Sequence, residues 1–99
     1  SEKSNIDVYF VCLDEAGLST ALSISNELRQ AGYSLVSDPL RRSMKAQMRE
    51  ANKSGAKFAL ILGETEMETD SVVLKNLKEG KQEIIQQKNV KDELRKLTN

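Results

Sequence analysis

The chain has no histidine and no tryptophan, and only one cysteine and one proline among its 99 residues. Without histidine, the commonest general base and the commonest zinc ligand are both missing. With Cys12 alone, no internal disulfide can form, and a reducing cytoplasm is the expected compartment. Long apolar runs are missing too. The longest, around Val8 to Leu13 and Phe58 to Leu62, fall far short of the roughly 20 residues a membrane-spanning helix needs. No secretory signal or membrane anchor is visible, so no membrane partner is expected. The patterns G-x-G-x-x-G, G-x-x-x-x-G-K and G-x-S-x-G do not occur, which removes the dinucleotide, P-loop and hydrolase readings.

What is present describes one small globular domain. Charged residues make up 30% and apolar residues 38%, and the length leaves room for a single hydrophobic core. Residues 1 to 5 are polar and read as a linker remnant or cloning scar, leaving 6 to 99 as the domain. The fifteen basic and fifteen acidic residues cancel, which argues against a nonspecific nucleic-acid coat protein and gives no reason to expect DNA. Their distribution says more. Residues 41 to 57 carry Arg41, Arg42, Lys45, Arg49, Lys53 and Lys57 against Glu50 alone, while Glu64, Glu66, Glu68 and Asp70 form an acidic block. Separated patches under a neutral total suit a protein that meets a polyanion at one place.

Ile6 to Leu13 is an almost unbroken β-branched and aromatic run and predicts a strand buried on both faces. Leu18, Ala21, Leu22, Ser25 and Leu28 then fall at helical spacing, with Asp14 as N-cap and Gly32 ending the helix in the left-handed region. Tyr33 to Ser37 is a short second strand, broken by Asp38-Pro39. Ser43 caps a second helix to about Lys53, with Met44, Met48 and Ala51 as its apolar stripe. Lys57 to Leu62 is the third strand. Only Gly63 to Thr69 separates it from a fourth strand at Asp70 to Leu77, too few residues for a crossover helix. The fourth strand is therefore expected antiparallel, with Glu64 to Asp70 as a surface turn. A hairpin at Lys78 to Lys81, with Gly80 at positive φ, leads to a fifth strand, Gln82 to Gln86. Asn89 then caps a last helix whose buried stripe is Val90, Leu94 and Leu97. The expected fold is a three-layer α/β/α sandwich on a mixed five-stranded sheet of order 2-1-3-4-5, strand 4 reversed. Asp14-Glu15 matches the acidic pair of a phospho-receiver domain, but the third strand runs into Leu62-Gly63 where an acceptor aspartate is required.

The segments Leu28 to Tyr33 (LRQAGY), Arg42 to Met48 (RSMKAQM), Ala51 to Ala56 (ANKSGA), Ile61 to Glu66 (ILGETE) and Val73 to Leu77 (VLKNL) carry a family resemblance through their order and spacing. The chain resembles, from about Ile6 to Leu97, the anticodon-binding domain shared by the histidyl, threonyl, prolyl and glycyl class II aminoacyl-tRNA synthetases. A serine opening the second helix, then a lysine and a glutamine, and Ser54-Gly55-Ala56 before the third strand look most like the C-terminal domain of histidyl enzymes. The resemblance implies the same five-stranded α/β/α sheet. It also implies a cytoplasmic, homodimeric parent enzyme that charges tRNA with ATP and magnesium. The catalytic motifs are missing from this chain. It is therefore expected to bind the histidine anticodon stem-loop without catalysing, to need no cofactor or metal of its own, and to be monomeric in isolation.

Given that resemblance, the expected tRNA contacts are Arg41, Arg42, Ser43 and Lys45 at the start of the second helix, with Arg49 further along it, Glu64 after the third strand and Lys75 on the fourth. Arginines and lysines at a helix N-terminus suit phosphates, and Glu64 suits base amino groups. Glu66 is assigned to the turn itself, accepting backbone N–H bonds. Gln47 is a base reader only if it faces outward. The rival reading is a synthetase-like paralogue, such as a regulatory subunit of histidine biosynthesis or the tail of a starvation-sensing kinase, used for protein contacts or tRNA sensing.

Overall fold

The computed structural model describes residues 5–38 and 43–98. Its sheet has the order β2-β1-β3-β4-β5, with β1 at Val8–Cys12, β2 at Leu35–Ser37, β3 at Phe58–Leu62, β4 at Ser71–Asn76 and β5 at Gln82–Gln86. β1 pairs parallel with both β2 and β3, whereas β3–β4 and β4–β5 are antiparallel. This is the expected mixed sheet. Two helices, α1 (Leu18–Gln30) and α4 (Val90–Thr98), cover one face, and α2 (Met44–Ser54) covers the other. β1 and β3 are buried at every position, which is why their sequences lack the polar alternation of a one-sided strand.

The larger core lies under α1 and α4. There Phe10, Leu28, Leu60, Leu62, Val72, Val90 and Leu94 are almost wholly buried. The smaller core, Tyr9, Val11, Ala51, Ala56 and Ile61, lies under α2. Gly32 ends α1 at φ 99°. Its N–H donates to Arg29 O at 3.0 Å and that of Tyr33 to Leu28 O at 3.0 Å, so two terminal carbonyls are satisfied by a left-handed residue that favours glycine.

Several details differ from the sequence expectation. Asp14 caps a 3-10 turn at Glu15–Gly17, accepting from Ala16 N, and α1 starts only at Leu18. The buried stripe of α1 is Ala21, Ile24, Ser25 and Leu28. Leu18 and Leu22, placed in that stripe by spacing alone, are 40% and 60% exposed. On α2 the buried residues are Gln47 and Ala51, with Met44 exposed. Asn89 ends a second 3-10 turn, Gln87–Asn89, rather than capping α4, and Leu97 is exposed. For α1 and α4 the chain enters the helix through a tight turn, and that turn sets which side meets the sheet.

The segment expected to be a plain surface turn is a short helix, α3, at Glu64–Thr69. Met67 packs against the larger core, and the Glu66 carboxylate accepts from Gly63 N at 2.8 Å. A single apolar residue sets no periodicity, so the sequence pattern did not reveal the helix. Replacing Glu66 with alanine should cost about 1 kcal/mol of stability in chemical denaturation, whereas glutamine, still an acceptor, should cost less. Equal stability of all three proteins would remove this bond from the account.

Candidate functional site

The parallel strands β1 and β3 end side by side, joined by Leu13 N donating to Leu62 O at 2.8 Å. Open α/β sheets place their ligand sites beyond such carboxyl ends. α2 begins at this end. Ser43, extended at ψ 158°, accepts from Ala46 N through its hydroxyl at 3.2 Å and caps the helix. Gln47 is fully buried, and its Nε2 donates to Cys12 O at 3.2 Å. Gln47 therefore fastens α2 over the end of β1, and the role of an outward base reader is excluded.

The outer side of α2 is cationic. Lys45, Arg49 and Lys53, spaced four apart, are all exposed and have no hydrogen-bond or ion-pair partner among the described residues. Lys57 is different, lying 4.0 Å from Asp7. Arg41 and Arg42 lie outside the described residues. Glu64 opens α3, exposed and likewise without a side-chain partner among the described residues. Glu66 does not share that freedom, since its carboxylate is held by Gly63 N.

Lys75 sits on the sheet rather than at its end. The register sets Lys75 beside Ala59, which neighbours Tyr9, and sets Val73 between Ile61 and Ile84. Both rows face the α2 side, because Tyr9 and Ile61 belong to the core beneath that helix. On β4 and β5 this face is open: Val73 and Lys75 are half-buried, and Ile84 is 73% exposed. The expected residues thus form two groups, with Ser43 and Glu64 at the carboxyl end and Lys75 on the open sheet face. Lys45 and Arg49 line the helix beside them.

Sequence reasoning missed two features. One is the apolar patch on the open sheet face, where half-buried Val73 lies beside exposed Ile84. The other is a polar cavity of about 470 Å³ lined by Thr69, Asp70, Gln86, Gln87 and Lys88. Its lining comes from the end of α3 and the end of β5, which only the pairing of β4 with β5 brings together.

Cys12 is buried, and burial pushes its thiol up from the ordinary range. Its Sγ lies 3.3 Å from Asp14 O as a donor. No group of three or more His, Cys, Asp or Glu side chains suited to a metal ion occurs among the described residues. No helix among them is long and apolar enough to cross a membrane.

A family described as "Anticodon binding domain" matches residues 7–97. The chain is 44% identical over 81 residues to a histidine–tRNA ligase of Solidesulfovibrio magneticus, covering 82% of this chain and 19% of that protein. It is 36% identical over 98 residues to a histidine–tRNA ligase of Listeria innocua, covering 99% of this chain and 22% of that protein. The crystal structure of histidyl-tRNA synthetase from Nostoc sp. PCC 7120 superposes with a TM-score of 0.88 at 26% identity, over 97% of this chain and 23% of that one. The chain thus spans about a fifth of the length of the relatives it matches.

Proposed function

Since this chain belongs to the family of anticodon-binding domains, we propose that it is the segment of a histidine–tRNA ligase that holds the anticodon stem-loop of the tRNA being charged. The observation that carries this reading is the row of unpartnered cations on α2 beside the open face of β4 and β5. Phosphates of the stem position an RNA, and the splayed bases of the loop carry its sequence. Lys45 and Arg49, joined by Arg41 and Arg42, serve the phosphates, and the N-terminal end of α2 adds its partial positive charge. Lys75 and Glu64 offer a donor and an acceptor to base edges. Val73 and Ile84 give the bases an apolar surface.

ATP and magnesium do not fit these residues. The described residues hold no metal-ligating cluster, and the sequence has no phosphate-cradling glycine loop. On this reading the chemistry belongs to a catalytic body in a longer, cytoplasmic and homodimeric protein, while this chain alone is monomeric. The paralogue reading is not favoured, because the relatives named above are ligases.

Two assays on the 99-residue chain test the proposal. Pyrophosphate exchange and aminoacylation are expected to be absent, while a histidine anticodon stem-loop binds measurably at low salt. Adenylate formation by the pure chain would contradict the division of labour, and failure to bind the stem-loop would contradict the proposal itself.

A further inference from the structure

α3 ends on Asp70, whose φ of 53° makes it the only non-glycine residue at positive φ among those described. Its N–H donates to Glu66 O, closing the helix, and its carbonyl accepts from Gln87 N at 2.9 Å. The Gln87 side-chain amide donates to Ser71 O at 3.0 Å and approaches Glu66 O at 3.5 Å. The buried Ser71 hydroxyl pairs with that of Thr69 at 2.7 Å. The end of β5 is thereby strapped to the end of α3, and the wall of the polar cavity is built before any ligand arrives. Because β4 reverses and β5 reverses again, this cavity opens at the same carboxyl end of the sheet as Ser43 and Glu64.

Within that wall the Asp70 carboxylate and the Lys88 ammonium have no hydrogen-bond or ion-pair partner among the described residues. A carboxylate offers two acceptors side by side, so its complement is a planar pair of donors. Guanine presents such a pair on its Watson–Crick edge. A guanidinium does too, but Lys88 at the same rim repels a cation and attracts a phosphate.

We propose that this cavity holds one guanine of a single-stranded RNA loop, the Asp70 carboxylate accepting from its N1–H and N2 amino group while Lys88 meets the phosphate of the same nucleotide. The inference rests on the anticodon-binding reading and adds a specificity-determining residue to it.

The test replaces Asp70 with glycine, which suits positive φ and so leaves the fold intact. Plain electrostatics predicts tighter RNA binding when a negative charge is removed. The base contact predicts the opposite. Fluorescence anisotropy would compare the wild-type chain and Asp70→Gly on a histidine anticodon stem-loop and on copies whose loop guanines are changed singly to inosine, which lacks the N2 amino group. Asp70→Gly should bind the unmodified loop about tenfold more weakly. At one guanine position the inosine change should weaken wild type and leave the variant unaffected, the non-additivity of a direct contact. Its melting temperature should be equal or higher. Equal or tighter binding by the variant, or the same inosine sensitivity in both proteins at every position, would overturn the proposal. If wild type fails to bind the stem-loop at all, the anticodon reading fails with it. If wild type binds and only the Asp70 effect is missing, this inference alone fails.

Discussion

Replacing Arg41, Arg42 and Lys45 together with alanine is expected to weaken binding of a histidine anticodon stem-loop by on the order of 100-fold at about 0.1 M salt, with the fold unchanged. Lys45 is exposed in the first turn of α2 and has no partner among the described residues, so its removal leaves no buried charge behind. Arg41 and Arg42 precede the Ser43 cap in the chain. For every phosphate that the variant no longer holds, the slope of log affinity against log salt should fall by about 0.7 for single-stranded RNA. Removing a bond to a base should instead relax loop preference at unchanged slope. If the triple variant stays folded and matches wild type at every salt concentration, these cations are ordinary solvated surface.

Leu60→Ala should have the largest effect on stability. Leu60 is fully buried in the middle of β3, between Phe10 on β1 and Leu74 on β4 and in the larger core. A cavity at such a site costs about 3 kcal/mol, a sizeable part of the roughly 5–15 kcal/mol that holds a small domain together. Thermal unfolding should show a midpoint lowered by about 15 °C. Leu22→Ala, at a position 60% exposed, should move it little. Equal effects of the two substitutions would contradict the assignment of α1's buried side.

That contrast shows what the sequence makes legible. The direction of β4 followed from chain length: the short stretch between β3 and β4 excludes a crossover helix, so its reversal was forced. Buried strands announced themselves as continuous apolar runs. Helix faces were harder, since Leu18 and Leu22 share the right spacing with Ala21 and Leu28, yet the 3-10 turn at Glu15–Gly17 fixes the phase and turns them outward. The acidic residues from Glu64 to Asp70 hid a helix because its stability comes from one packed methionine and one capping bond.

The candidate site was legible in kind and less so in place. Clustered cations on α2 were visible by counting, and Ser43 was recognisable as a cap. Which side of β4 carries Lys75 depends on pairing register, which local sequence leaves open. The exposure of Ile84 depends on the absence of a second helix on that face among the described residues. Gln47 went the other way, from possible reader to buried fastener of α2 on Cys12 O.

The most direct test of the central claim is titration of the wild-type chain with a histidine anticodon stem-loop and with the same stem carrying a scrambled loop, over a range of salt. The account predicts preference for the native loop by about tenfold or more, and a linear fall of log affinity with log salt for both RNAs. Equal affinity for the two loops, or no binding of either at low salt, would contradict it.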